Sequence, residues 1–237
     1  MVSNGLRISD NVLIYLHKTH DLYKLSCYHT NTHVDVMLLE SKLPIHYYRS
    51  RDQSYLFLEI IYYGDRTKGV CVDSTDIYYI RQDALLYLKL GEIPHVKRFT
   101  ERIAGHRYWP TYHEGHFLIQ TNLDRATHYR IMRTEVGSTH MSNWKHLIPH
   151  DNTKFVETII TLHQYLLIAF TDLDGNEHLG VIPYDMEDDR YNVEAYHDIA
   201  DGQISYVDDG IYDTKRILYK TATTMVEYDL DLKGVAL

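Results

Sequence analysis

The amino-acid sequence predicts an all-β fold built from a repeated four-stranded unit, and three observations carry this prediction. Short runs of Val, Ile, Leu and Tyr recur from one end of the 237 residues to the other. The chain contains 22 tyrosines, and tyrosine packs well on the half-buried face of a sheet. No long segment shows the apolar period of an amphipathic helix. With 44% hydrophobic residues, the chain has enough apolar material for a core.

Alternation of apolar and polar residues locates the individual strands. The plainest is VEYDLDL at 226–232, where every second residue from Val226 to Leu232 is apolar and the residues between are acidic. The other predicted strands are 12–16, 22–28, 55–60, 76–80, 116–120, 128–132, 144–148, 155–160, 165–170, 178–182, 193–197, 204–207 and 216–220.

Turn residues separate these strands. Asp174-Gly175 lies between two predicted strands and is a strong hairpin signal. The segments 63–69 and 208–210 have similar turn chemistry. Residues 83–90, DALLYLKL, fit a helical turn or a strand, and periodicity does not decide between the two.

The strands repeat in groups of four. HFLIQTN begins at residue 116, QYLLIAFTD at 164 and KRILYKTAT at 215, which are spacings of 48 and 51 residues. Four strands every ~40–50 residues are typical of a β-propeller blade. The grouping predicts one blade from strands 116–120, 128–132, 144–148 and 155–160, and the next from strands 165–170, 178–182, 193–197 and 204–207.

The count predicts a β-propeller arc of about four to five blades. The segment NWKHLIPHDNTKFVETIITLHQYLLIAF (143–170) would contain the third and fourth strands of one blade and then the first strand of the next. Propellers close with about four to eight blades, so a small closed ring and an arc of a larger propeller both fit this count. An open arc would leave unpaired strand edges, which favour association.

Charge and cysteine content limit the partners and the compartment. The net charge of −9 argues against nucleic acid, which is bound through clustered Lys and Arg. Cys27 and Cys71 are the only cysteines, so we expect no disulfide framework and a reducing, cytoplasmic location. No apolar run approaches the ~20 residues of a membrane helix, and the first residues lack a signal-peptide pattern, so no membrane partner is expected.

Five stretches resemble, in the same order, the propeller domain of oligopeptidase B, within the prolyl oligopeptidase family of serine peptidases. Two of them are GHFLIQTNLDRATHYRIM (115–132) and NWKHLIPHDNTKFVETIITLHQYLLI (143–168). The other three are 8–29, 35–60 and 213–230. The segment 62–101 matches this pattern poorly.

This resemblance implies that residues 1–237 are a non-catalytic domain forming part of a seven-bladed propeller. In the family, the propeller caps an α/β-hydrolase domain that carries the Ser-Asp-His triad, and it restricts cleavage to short peptides; oligopeptidase B cleaves after Arg and Lys. The expected partners are an α/β-hydrolase domain or chain and short basic peptides, with the hydrolase domain absent from this sequence. A stand-alone interaction propeller and a truncated, non-functional fragment are the alternatives.

No catalytic residue is assigned from the sequence. A nucleophilic serine of this family needs the Gly-x-Ser-x-Gly turn, which lifts the hydroxyl towards its histidine. The nearest stretch is 136–140, Val-Gly-Ser-Thr-His, and it lacks both outer glycines. We therefore expect this chain to be inactive alone.

No metal or cofactor site is assigned either. The stretch YHEGH (112–116) resembles a zinc motif, but its His spacing is three, and in one continuous strand His113 and His116 would point to opposite faces. His29 and His33 are predicted to be solvated loop residues. Residues 172–177, DLDGNE, have calcium-loop composition, but Gly lies in the wrong place, so a hairpin turn is predicted.

The remaining polar and aromatic candidates are predicted to have structural roles. The acidic run 185–190, DMEDDR, is expected to be a solvated loop, with an acidic channel mouth that attracts basic peptides as the alternative. Both cysteines are predicted to be buried and inert. Packing or turn roles are predicted for Trp109, Trp144, His146 and His150.

Overall fold

The computed structural model is a nearly all-β chain. Its only α-helix among the residues it describes is a short one, α1 (Gln82–Leu86). None of the helical segments in this part of the chain is long and apolar enough to cross a membrane. The described residues are 5–64, 73–89, 91–202, 205–207, 211–221 and 224–231, and the side chains of 200–202 and 205–207 are not described.

The first of two compact units comprises residues 1–107 and 139–142. It contains two antiparallel sheets, each with its four strands in chain order. The first sheet contains β1 (Leu6–Ser9), β2 (Val12–Lys18), β3 (Tyr23–His29) and β4 (Val34–Ser41); the second contains β5 (Ile45–Arg49), β6 (Tyr55–Tyr62), β7 (Ser74–Arg81) and β8 (Lys97–Arg98).

The second unit comprises residues 108–138 and 143–237 and contains three antiparallel sheets. The first sheet contains β9 (Tyr108–His113), β10 (His116–Thr121), β11 (Arg130–Glu135) and β12 (Lys145–Ile148). The middle sheet contains β13 (Lys154–Leu162), β14 (Tyr165–Asp172), β15 (Glu177–Asp185), β16 (Arg190–Tyr191) and β17 (His197–Gly202). Its strands β16 and β17 pair with different stretches of β15. The last sheet contains β18 (Ser205–Val207), β19 (Arg216–Lys220) and β20 (Met225–Asp229).

This architecture confirms the all-β prediction: the chain is a partial β-propeller built from consecutive antiparallel sheets. Most predicted strands are present with ends shifted by one or two residues. The alternation in VEYDLDL is also present, since Tyr228 and Leu230 are buried; Leu232 lies outside the described residues. The two predicted turns at 63–69 and 208–210 lie largely outside them too.

The predicted grouping of strands into blades was wrong by one strand. Residues 155–160 lie in β13, which pairs with β14 in the register Ile160 to Leu167 and so begins a sheet. The predicted blade had missed its true first strand, β9, whose sequence YWPTYH contains Pro110 and gives no alternation signal. Segment 143–170 therefore contains the fourth strand of one sheet and the first two strands of the next.

Two further assignments changed. Residues 193–197, predicted as a strand, form a 3₁₀ turn at Val193–Ala195 whose N-cap is Asn192. The sheet is completed instead by β17, and residues 204–207 contain β18, the first strand of the last sheet. The ambiguous stretch 83–90 is helical at its start, since α1 ends at Leu86.

The core of the second unit is the apolar layer between its sheets. Leu118 on β10 and Ile131 on β11 are fully buried, and they belong to the same cluster as Leu166 on β14 and Ile182 on β15. A separate cluster joins the middle sheet to the last one, with Leu179 on β15 packed near Ile217 on β19. Burial of apolar side chains in these layers stabilises the sheets, because each layer covers one face of each of the two sheets that it joins.

Truncation of a side chain in this layer should destabilise the second unit. We expect Leu166→Ala to lower the free energy of unfolding by about 2–5 kcal/mol, because Leu166 is fully buried and leaves a cavity. The matched control is Leu173→Ala in the turn after β14, where the side chain is 72% exposed. Its expected effect is below about 0.5 kcal/mol. Urea denaturation measures both, and equal losses would contradict the assigned core.

Candidate functional site

The β9–β10 hairpin positions a group of polar side chains at one end of the second unit's sheets. Its turn residues, Glu114 and Gly115, both have positive φ, 41° and 80°, as the tight two-residue hairpin turn requires. His113 and His116 are direct cross-strand partners across this turn. Directly opposed residues share one face of a sheet, so the expectation that the two histidines point to opposite faces was wrong. That expectation assumed a continuous strand.

His113 is fully buried and uses both ring nitrogens. Its Nε2 lies 2.7 Å from the carbonyl oxygen of Leu162, which can only accept, so Nε2 carries the proton and donates. In the neutral ring, Nδ1 then accepts from the hydroxyl of Tyr191 at 2.5 Å. These bonds connect the β9–β10 hairpin to β13 and to β16, and the neutral imidazole satisfies both of them.

The electrostatics agree with this protonation state. Burial lowers the pKa of His113, outweighing the Leu162 carbonyl and the Glu114 carboxylate, which both favour the charged form. Burial also raises the pKa of Tyr191 far above its usual value, with the neighbouring Tyr184 adding to the shift. Both groups stay neutral near pH 7, so the pair serves as a hydrogen-bonded connection and does not act as an acid or base.

Glu114 is the charged member of the group. Its Oε1 accepts from the Tyr212 hydroxyl at 2.6 Å and lies 3.0 Å from Nδ1 of His163. Burial raises the pKa of Glu114, but the hydrogen bonds from Tyr212 and His163 outweigh this effect and lower it below the usual value. The carboxylate is therefore ionised near neutral pH, only partly buried and held by the hairpin turn.

A second carboxylate lies beside His116. The Tyr184 hydroxyl donates to Oδ1 of Asp189 at 2.6 Å, and Nδ1 of His116 lies 3.5 Å from the same oxygen. Arg133 lies 3.4 Å from Nε2 of His116 and donates to the backbone carbonyl of Asp189 at 3.5 Å. The β15–β16 turn is thus connected to the first sheet of the unit by His116 on β10 and Arg133 on β11, while Tyr184 on β15 bonds within its own hairpin.

We call these residues the hairpin cluster; its members are His113, Glu114, His116, Arg133, His163, Tyr184, Asp189, Tyr191 and Tyr212. The rings of His113 and Tyr184 meet edge to face with centroids 4.8 Å apart. Only its His113, Glu114 and His116, and Asp189 within the acidic run 185–190, stood out in the sequence. The others join from positions up to 98 residues away, and no local pattern marks them.

The hairpin cluster lacks the parts of a hydrolytic centre. It contains no serine or cysteine, and the ring nitrogens of His113 are already occupied. Across the described residues, no three His, Cys, Asp or Glu side chains lie close enough together to hold a metal ion. The arrangement instead holds two carboxylates, those of Glu114 and Asp189, by hydrogen bonds at the ends of the sheets.

The candidate nucleophile segment has no triad geometry. Ser138 lies in the loop after β11, where its backbone carbonyl accepts from the Thr134 hydroxyl at 2.6 Å. His140 instead contacts the Ser142 hydroxyl through Nδ1 at 2.8 Å. This is an exposed contact two residues apart, and the described part of the chain places no carboxylate on His140 to orient it.

The other candidates mostly have the predicted structural roles. Asp172 accepts from the backbone N–H groups of Asp174 and Asn176, both at 2.9 Å, so 172–177 is a hairpin turn. Trp144 is buried against Tyr108. The run 185–190 is a mainly exposed turn in which Asp185 accepts two backbone N–H groups.

Some of the histidine and cysteine predictions are confirmed, and one is wrong. His33 is an exposed turn residue, but His29 is buried at the end of β3, so its assignment to a solvated loop was wrong. His150 accepts from the backbone N–H of His128 at 3.3 Å, which is a turn role. Burial raises the pKa of the Cys27 thiol to about 12, so this cysteine is inert near neutral pH; Cys71 lies outside the described residues.

Comparison with known proteins defines the family. Residues 16–222 match the family model described as "Prolyl oligopeptidase, N-terminal beta-propeller domain". Because this match covers most of the chain, the protein belongs to that family. Among curated protein sequences, none matches the chain at a significant level.

Solved structures agree on the fold. Oligopeptidase B from Trypanosoma brucei, with covalently bound antipain, is similar with a TM-score of 0.77 at 15% identity over 100% of this chain and 33% of its own. Oligopeptidase B from Leishmania major gives 0.72 at 17% identity, over 97% and 32% of the two chains. Prolyl oligopeptidase B from Galerina marginata gives 0.65 at 12%, over 93% and 31%. The chain thus spans about a third of the length of the structures it matches.

The neutral state of His113 predicts a specific pH dependence. His113 binds a proton more readily when unfolded, so the free energy of unfolding should fall as pH drops below about 6.5, by at most about 1.4 kcal/mol per pH unit for this proton. His113→Gln should show a smaller decrease between pH 7 and pH 5. Urea denaturation across that range measures the difference.

The exposed His146→Gln variant of the same unit controls for removing one histidine. If wild type and His113→Gln lost stability in parallel as pH fell, His113 could not be the neutral, desolvated group that the structure shows.

Proposed function

We propose that this chain is the non-catalytic propeller part of a serine endopeptidase of the prolyl oligopeptidase family, of the oligopeptidase B type. It caps an α/β-hydrolase domain, admits short peptides and helps to hold their basic side chains. The observation that carries the proposal is the family match over residues 16–222, to a domain described as the N-terminal propeller of prolyl oligopeptidase. The hydrolase part acts through an acyl-enzyme and an oxyanion hole.

The chemistry of the hairpin cluster supports a binding role in place of a catalytic one. Its histidines and tyrosines are committed to hydrogen bonds between hairpins, while Glu114 and Asp189 keep negative charge at the sheet ends. The neighbouring turn 185–190 adds further exposed carboxylates. A concentration of negative charge on a chain of net charge −9 favours approach of cationic peptides.

The proposal predicts a serine hydrolase in the native assembly. The product should be isolated from its source cells with an antibody against this chain and analysed by mass spectrometry. We expect peptides with a Gly-x-Ser-x-Gly motif, either in the same polypeptide or in a bound one, with that serine labelled by a fluorophosphonate probe. A solitary species with the mass of this chain would contradict the proposal.

The isolated assembly also tests the gating role. It should cleave a fluorogenic peptide that ends in Arg, and it should leave the same sequence intact when that sequence is placed in a loop of a folded protein. Comparable cleavage of both substrates would argue against a cap. Glu114→Gln should raise KM for the Arg peptide while leaving KM for a neutral peptide unchanged.

A further inference from the structure

A cavity of about 250 Å³ opens in the second unit, at the layer between its first and middle sheets. It lies where β12 ends at Ile148 and the chain crosses to β13, beside buried residues of the middle sheet. The volume is below the range of pockets for drug-sized ligands. Its apolar wall comprises Ile148, Val156, Ile168, Phe170 and Ile182.

One cation lies at this cavity. The ammonium of Lys154 is 4.4 Å from the centroid of the Phe170 ring and 5.9 Å from that of Tyr196. Its cross-strand neighbour is Asp172, whose carboxylate accepts from its own turn and from His178. Among the described residues Lys154 forms no ion pair within 4 Å, but the Asp151 carboxylate, which lines the same cavity, is near enough to interact with its charge.

The cavity wall is held in place by packing. Tyr196 lies directly over Gly180, where an added Cβ atom would be only 2.3 Å from the tyrosine ring. The Tyr196 hydroxyl donates to Asp198, which fixes the other end of the ring. A glycine at this position in β15 is therefore needed for the ring to form the wall of the cavity.

Asp151 sets a limit on the charge of a ligand. Its carboxylate lines the cavity and accepts from the backbone N–H of Thr153 at 2.8 Å and from the Thr153 hydroxyl at 2.7 Å. These bonds, with a smaller contribution from the nearby Lys154 charge, lower the pKa of Asp151, so it is ionised near neutral pH. A ligand carboxylate at Lys154 therefore lies near Asp151, and a second carboxylate on the ligand would add further repulsion.

We propose that this cavity is a binding site for a small monocarboxylate with an apolar tail. The carboxylate pairs with Lys154, and the tail lies against Val156, Ile168 and Ile182. A charge-assisted hydrogen bond at a half-buried lysine gives the orientation, and burial of the tail gives the affinity. The site is separate from the hairpin cluster, and the proposal does not rest on the proposed peptidase function.

Three probes of nearly equal shape test the proposal on the whole chain: phenylacetate, phenylacetamide and phenethylamine. We expect phenylacetate to bind about tenfold more tightly than phenylacetamide, because a hydrogen bond to a charged group outweighs a neutral one by about that factor. Phenethylamine should bind more weakly than phenylacetate, and tighter binding of phenethylamine would show that Asp151, and not Lys154, sets the charge preference of the cavity. Isothermal titration calorimetry measures all three. Phenylmalonate, a dicarboxylate, should bind less tightly than phenylacetate because of Asp151.

Two variants locate the site. Lys154→Met keeps the apolar stem and should remove the preference for phenylacetate over phenylacetamide, whereas Lys145→Met, at an exposed lysine on β12 outside the cavity, should keep it. Val193→Trp at the exposed rim should fill the cavity and abolish binding of every probe. Thermal unfolding shows that each variant is folded.

Two results with the wild-type chain would overturn the proposal. The first is that phenylacetamide or phenethylamine binds as tightly as phenylacetate. The second is that phenylacetate does not bind up to about 10 mM, where even a weak site is detectable. Binding that Lys154→Met and Val193→Trp both leave unchanged would place the ligand elsewhere and would equally overturn it.

Discussion

The second unit depends on the apolar layer between its neighbouring sheets. A β-sheet whose inner residues are Leu118, Ile131, Leu166 or Ile182 exposes an apolar face unless another sheet covers it. The middle sheet is covered by separate apolar clusters towards the first and the last sheet, so it contributes to two cores. This requirement is consistent with the repeated pattern of sheets along the sequence, since a sheet between two neighbours must present an apolar face to each of them.

Where the apolar layer reaches the sheet ends, polar groups must be satisfied inside the protein. The hairpin cluster does this, because the buried His113 imidazole bonds both to the Leu162 carbonyl and to the Tyr191 hydroxyl. Leaving such groups without partners costs about 1–3 kcal/mol each. The same bonds fix the turn conformations that hold the Glu114 and Asp189 carboxylates. Two carboxylates at the sheet ends are therefore ordered by residues whose first role is to complete the core.

The sequence predicted strands well and their pairing less well, for physical reasons. Alternation shows that a segment is half-buried, but it carries no information on which neighbour pairs with it. Strand 155–160 was therefore placed in the wrong sheet, while β9 was missed because Pro110 and three aromatic residues obscure its period. The hairpin cluster as a whole could not be predicted from the sequence, since Tyr191 and Tyr212 contact the β9–β10 hairpin only after the sheets pack.

We propose that this chain contributes a propeller and a binding surface without carrying out hydrolysis itself. The most direct test treats the purified chain alone with a fluorophosphonate probe for activated serines and then with an Arg-Arg fluorogenic peptide, with contaminating peptidase removed. We expect no labelled serine and no cleavage above background, because the described residues contain no serine oriented by a histidine and carboxylate pair. Labelling of a serine in this chain, with matching peptide cleavage, would contradict it.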